Sequence, residues 1–198
     1  MLVLLGESGS GKSTIEKYLI KHHTFRKIIS YTTRPPRDNE IDGVDYHFIN
    51  EEKFKELDKK HFFMETSVYN GWYYGIAEKD FVESYPYNKL VILTPSGLRQ
   101  LKKMNAQKDL GIIIISCYIK TDRRERLIRV LHRGDNVDEA IRRNISDVGQ
   151  YDGIEKEVEL IINNQYQPSL YDLTDNLTHI YYSTIIHLTT PSEKLKNK

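Results

Sequence analysis

The sequence predicts an α/β fold built around a central parallel sheet, with an inserted lobe and a helical lid. Short, continuous apolar runs alternate with polar segments of helical spacing. The first of those runs enters a glycine-rich turn directly, and a stretch of different texture interrupts the alternation between the second and third runs.

Leu2 to Leu5 is the first run, bounded by Gly6, as expected of a parallel strand covered on both faces. It lacks the basic leader of a signal sequence and reads as the first strand. Further strands are expected over Lys27 to Ser30, Leu90 to Leu93, Ile112 to Ile119 and Leu160 to Ile162. Helices are expected over Ser13 to His23, Glu51 to Lys60, Gly97 to Met104, Asp122 to His132 and Val137 to Tyr151. In the fourth, Asp122 is a candidate cap and Leu127, Val130 and Leu131 form the apolar stripe, while Arg123, Arg124 and Arg126 read as surface charge. Residues 31 to 88 are rich in Tyr, Pro, Gly and charge, with strand-like pieces at Tyr46 to Ile49 and Trp72 to Tyr74; this is the expected inserted lobe. The predicted organisation is one domain: a core of residues 1–30, 89–120 and 152–188, a lobe of 31–88, a lid of 121–151 and a frayed polar tail of 189–198.

The charge balance, 29 basic against 28 acidic side chains, provides no global field for nucleic acid or an anionic membrane. Anion binding must come from local clusters. Cys117 is the single cysteine, which excludes an internal disulfide; it reads as a small buried hydrophobe and suits a cytoplasmic, reducing setting. No apolar run approaches the length of a membrane span.

Gly6-Glu7-Ser8-Gly9-Ser10-Gly11-Lys12-Ser13 satisfies G-x-x-x-x-G-K-[ST] between an expected strand and an expected helix, the context that motif requires. This predicts a P-loop NTPase fold. The glycines let successive backbone N–H groups and the positive end of the next helix face a polyphosphate. Gly6, Ser8, Gly9, Ser10, Gly11, Lys12, Ser13 and Thr14 are thus the candidate ATP-binding set, with Lys12 on the outer phosphates and Ser13 offering its hydroxyl to Mg²⁺. Glu7 and Ser8 occupy variable positions, and the loop alone leaves the acceptor open.

Ser30-Tyr31-Thr32-Thr33-Arg34-Pro35-Pro36-Arg37 puts two guanidiniums on a proline-stiffened segment, suited to a phosphate monoester. Glu40-Ile41-Asp42-Gly43-Val44-Asp45-Tyr46-His47-Phe48 follows, then Phe63-Met64-Glu65 and Gly71-Trp72-Tyr73-Tyr74-Gly75. In this order and spacing they resemble the guanylate kinase family, with its S-x-x-T-T-R-x-P-R, E-x-x-G-x-D-Y-x-F, F-x-E and G-x-x-Y-G elements. The resemblance implies phosphoryl transfer from ATP to GMP, with Arg34, Arg37, Tyr46 and Tyr74 on the GMP phosphate and Ser30 and Glu65 on the guanine. A carboxylate suits guanine on chemical grounds, since it accepts from N1–H and the 2-amino group together. Arg129 and Arg133, on one helix face at i, i+4, resemble the lid arginines that neutralise charge on the transferring group. Asn163 resembles the asparagine beside the donor adenine.

The chain departs from the family pattern at Ile76, where relatives commonly carry a hydroxyl. It departs again at Ile92 and Thr94, in place of the aspartates of a D-x-D-x-x-G element, and at Asn144-Ile145 in place of R-[LI], with Arg142 and Arg143 just before. These departures keep other acceptors open (dGMP, another nucleotide, a sugar phosphate), as well as a non-catalytic guanylate-kinase-like binding module. The intact phosphate loop argues against the module, and the absence of a basic stripe argues against a nucleic-acid-binding ATPase. Expected partners are ATP, GMP and Mg²⁺, without nucleic acid or membrane, on a monomer or weak homodimer.

Overall fold

The computed structural model describes residues 1–37, 40–82, 88–134, 136–165 and 169–189. The expected tail beyond Thr189 lies outside them. In chain order the elements are β1 (Leu2–Leu5), α1 (Lys12–His22), β2 (Arg26–Lys27), β3 (Tyr31–Thr32), β4 (His47–Phe48) and α2 (Glu51–Lys59). Then come β5 (Phe63–Tyr69), β6 (Trp72–Ala77), α3 (Glu78–Val82), β7 (Lys89–Ile92) and α4 (Pro95–Gln107). The chain continues through β8 (Ile115–Lys120), α5 (Arg123–His132), α6 (Val137–Ser146), β9 (Leu160–Asn163) and α7 (Leu170–Thr189). A sheet of order β2-β7-β1-β8-β9, parallel throughout, forms the core; a second sheet, β4-β3-β6-β5, stands beside it.

β1 lies at the centre of the parallel sheet, and all four of its residues are buried. Side chains alternate across a strand, so β1 serves two cores. Leu2 and Leu4 pack with Ile15, Leu19, Leu177 and Tyr181, whereas Val3 and Leu5 pack with Met64, Phe81, Leu98 and Leu101. Each fully buried leucine contributes about 1.5–3 kcal/mol of transfer free energy. Cys117 is buried beside Leu4 across the β1–β8 pairing, as a small hydrophobe should be. No helix among the described residues is long and apolar enough to cross a membrane.

Three expectations are corrected. The strand expected over Lys27 to Ser30 is split: Arg26–Lys27 closes the edge of the parallel sheet, and Tyr31–Thr32 opens the second sheet, so the chain changes sheets there. The helix expected from Gly97, α4, begins at Pro95 because Thr94 caps it, its hydroxyl accepting the Gly97 N–H at 3.1 Å with proline in the first turn. α6 stops at Ser146 and passes into turns that carry Tyr151 to the phosphate loop.

α7 carried no helical expectation. Its threonines, isoleucines and tyrosines are weak helix formers. Thr174, Thr178, Thr184 and Thr189 each satisfy their hydroxyls on a carbonyl four residues back. Leu173, Leu177, Tyr181 and Ile185, at four-residue spacing, seat the helix on the core. That spacing was the available signal.

Candidate active site

The phosphate loop joins β1 to α1. Gly9 (φ 80°) takes a conformation disfavoured for side chains, and a Cβ there would lie 2.5 Å from the Arg126 carbonyl oxygen, so the α5 helix packs directly on the loop. Gly11 caps α1. Lys12 Nζ donates to Gly6 O at 2.6 Å and Glu7 O at 3.0 Å, and burial pushes its ammonium down to about 8. Ser13 and Thr14 are exposed in the first turn of α1, where the helix presents its positive end. The variable positions are tied in place: Glu7 accepts from the Tyr118 hydroxyl at 3.0 Å and lies 3.3 Å from the Arg126 guanidinium. Tyr151 donates to Gly6 O at 2.7 Å.

Arg126 is therefore not surface charge. It is 7% exposed, donates to Thr121 O and sits between Glu7 and Asp147. It shares the buried face of α5 with Val130, one turn on.

On the opposite side, Glu40 organises Arg34 and Arg37. Arg34 donates to both Glu40 oxygens at 2.8 Å while its guanidinium lies over the Tyr46 ring. The Arg37 N–H donates to the same carboxylate at 2.9 Å. Tyr46 and Tyr74 meet edge to face at 6.0 Å. Glu65, on β5, is 1% exposed, and its Oε1 has no hydrogen-bond partner among the described residues. Burial raises its carboxyl to about 7, with the Ser67 hydroxyl pulling the other way. A Cβ at Gly97 would collide with that same oxygen, so only glycine in the first turn of α4 leaves the carboxylate its place. An acceptor atom desolvated without a partner costs about 1–3 kcal/mol or more, and a ligand N–H recovers it.

One cavity of 160 Å³ is lined from both sides: Gly6, Ser8, Gly9, Lys12 and Ser13 of the loop face Ser30, Arg34, Arg37, Tyr46, Glu65 and Tyr74. It adjoins a cleft of 810 Å³ that also touches Ser13, Ser30 and the arginines, within the range of nucleotide-sized sites. Arg133 lines both spaces. Arg129 instead flanks the loop, donating to Asn164 O at 2.9 Å and pairing with Glu125 at 3.0 Å.

Of the two arginines just before Asn144, Arg143 is 7% exposed and lines both spaces, whereas Arg142 lies on the surface beside Glu139. Asn144 turns away, accepting from Arg123 at 2.8 Å. Asn163 ends β9 exposed; its neighbour Asn164 reaches the loop, donating to Ser10 O at 2.8 Å. Ser10 is fully buried and Thr14 lies outside the cavity lining, so these two contribute backbone and helix start rather than cavity surface. Of the departures, Ile92 lines both spaces and Thr94 the smaller one, while Ile76 is fully buried in the apolar cluster with Met64 and Phe81.

A parallel α/β core with a phosphate loop after its central strand, facing an arginine-bearing lobe across one cavity, defines a phosphate-loop nucleotide-binding protein. The guanylate kinase family model matches residues 1–180, and the chain belongs to that family. The chain is 34% identical over 184 residues to a guanylate kinase of Mycoplasma mobile, covering 90% of this chain and 86% of the relative. With a Helicobacter pylori guanylate kinase the identity is 34% over 174 residues, 85% and 82% covered. A crystal structure of guanylate kinase from Anaplasma phagocytophilum shares the fold with a TM-score of 0.67 at 20% identity, over 93% of this chain and 85% of that one.

Proposed function

We propose that the protein transfers the terminal phosphoryl group of ATP to the phosphate of GMP, giving ADP and GDP. The observation that carries the reading is the shared cavity, in which a phosphate loop, two preorganised arginines and a buried carboxylate with one unpaired oxygen converge. Family membership and the guanylate kinase relatives support it. Residues 1–30, 89–120 and 152–188 form the donor core, 31–88 the acceptor lobe and 121–151 the lid.

An oxygen of the GMP phosphate attacks the terminal phosphorus of ATP in line as the bond to ADP breaks, with no protein nucleophile. Lys12, Arg133 and Arg143 supply positive charge where the transferring oxygens gather it, with Arg129 at the loop's flank. Arg34, Arg37, Tyr46 and Tyr74 hold the acceptor phosphate, and Ser30 and Glu65 read the guanine. No cluster of three metal-ligating side chains exists among the described residues. That fits Mg²⁺, which is held largely by phosphates and waters with few protein ligands, here the Ser13 hydroxyl. When bound with ATP, the ion would offset charge on the donor phosphates, with the Ser13 hydroxyl as its protein ligand. The closed lobes exclude water that would otherwise accept the phosphoryl group.

ADP release over a panel of GMP, dGMP, AMP and IMP tests the reading: GMP is expected to be preferred, and inactivity with all four would overturn it. Arg37→Ala separates the two sides. Its guanidinium is held less firmly than that of Arg34, at 3.6 Å from Glu40, so its loss should leave the lobe intact. The KM for GMP is expected to rise roughly 10- to 100-fold, the worth of a charged hydrogen bond, with ATP affinity unchanged. A fall in ATP affinity instead would mean that the sides are reversed.

A further inference from the structure

The hairpin that carries Glu65 ends in a tip whose contacts the transfer reaction itself does not require. Between Tyr69 and Trp72, Asn70 and Gly71 both take positive φ (56° and 80°), the two-residue turn that an Asn-Gly pair favours. Tyr69 and Trp72 therefore face each other at the tip. The Tyr69 hydroxyl reaches out of the acceptor sheet: it donates to Asp147 Oδ1 at 2.6 Å and meets Ser8 Oγ at 2.9 Å. Asp147 Oδ2 accepts the backbone N–H of Ser8 at 2.8 Å. One carboxylate thus ties the acceptor hairpin to the donor loop. The same tip is held a second time, by Arg142, which donates to Asn70 O at 3.1 Å.

The three residues lie 61, 78 and 139 positions apart, and nothing in the local chain brings them together. Asp147 is 4% exposed, and burying a carboxylate so completely is costly unless it is opposed. Arg126 lies 3.7 Å from its Oδ2 and also faces Glu7, while Lys12 lies close enough to feel both carboxylates. Two cations and two carboxylates balance beneath the loop.

We propose that Tyr69 and Asp147 are a positioning pair that couples closure of the acceptor lobe to the donor loop. Tyr69 reaches the carboxylate only with the hairpin tip down on the core, and Asp147 then fixes the Ser8 amide at the mouth of the phosphate loop. Tyr69 also lines the smaller cavity while Asp147 does not, and the pair acts through the hairpin tip and the Ser8 amide. The coupling rests on the reading of the cleft as a joint donor and acceptor site, but the position of the tip is measurable without substrate. Trp72 is the only tryptophan in the chain and sits opposite Tyr69.

Tyr69→Phe removes one hydroxyl and keeps the ring, and circular dichroism confirms that the fold is retained. In the ligand-free variant, acrylamide quenching of Trp72 fluorescence is expected to rise above wild type as the tip loosens. The ratio of GMP affinities with and without a non-hydrolysable ATP analogue is expected to fall about tenfold, the worth of one charge-assisted hydrogen bond. Asp147→Asn should lower the same ratio, and the double variant should lower it no further than Asp147→Asn alone, because the two residues act through one contact. Wild-type quenching in Tyr69→Phe overturns the proposal whatever the activity, and so does an unchanged affinity ratio. Raised quenching in a protein that phosphorylates none of the four monophosphates leaves the bridge standing and removes the acceptor assignment.

Discussion

Lys12→Ala is expected to abolish phosphoryl transfer while leaving the protein folded. The lysine contributes charge rather than packing: its ammonium donates to the Gly6 and Glu7 carbonyls of its own loop and lies near the Glu7 and Asp147 carboxylates. Burial already holds that ammonium down at about 8, so its removal relieves a desolvation cost as it loses two hydrogen bonds, and thermal unfolding should shift little. During transfer the same charge faces the outer phosphates, and preorganised charge at that position is worth roughly 10³-fold or more in turnover. ADP release and calorimetry on the same preparation check both halves. Turnover within an order of magnitude of wild type would remove the phosphate-loop assignment. The lowered ammonium also sets a direction with pH: in the free protein ATP affinity should weaken above about pH 8, as Lys12 loses its proton.

Glu65→Gln is expected to lower kcat/KM for GMP by about 2–3 kcal/mol, roughly 30- to 150-fold, because the amide turns one acceptor into a donor facing a donor. Preference over AMP should shrink with it. The same substitution should stabilise the empty protein. Burial raises the Glu65 carboxyl from its ordinary 4.5 to about 7. The sign follows directly: a carboxyl raised on folding leaves stability intact below 4.5, and that stability drains away as pH climbs through 7. The ionised form costs the ligand-free protein about 3 kcal/mol by pH 8, and glutamine removes the cost. Wild-type GMP affinity should fall below about pH 7, as the carboxylate takes up its proton. GMP's own phosphate also titrates near there, so the difference between wild type and Glu65→Gln isolates the side chain. A GMP preference unchanged by Glu65→Gln would sink the guanine assignment.

Ile76→Ser is not the route to better guanine recognition that a missing hydroxyl suggests. Ile76 is fully buried in the apolar cluster, on the strand beside Glu65, and a serine there would open a cavity at a cost of about 2 kcal/mol or more. The expected result is a lower melting temperature without a gain in GMP use.

The sequence by itself determined the phosphate loop. A phosphate loop is a local object: Gly6 to Ser13 are contiguous, their conformations are set by glycines, and the flanking apolar run and helix are short-range patterns. It marked out the proposed acceptor set as well, since Arg34, Arg37, Tyr46, Glu65 and Tyr74 stand in a recognisable order, and all line the cavity. Only the tertiary structure decided which of the seven arginines between 123 and 143 matter. Each step along a helix turns a side chain by about 100°, so Arg142 and Arg143 differ wholly in fate although they are neighbours, and Arg126 enters a buried network that no periodicity announces. Tertiary structure also brought Asn164 rather than Asn163 against the phosphate loop, because the chain leaves β9 there and turns toward Ser10. It alone brought Tyr69, Asp147 and Ser8 together, since contacts between segments so far apart depend on how two sheets and a lid are packed, which no local stretch of the chain encodes.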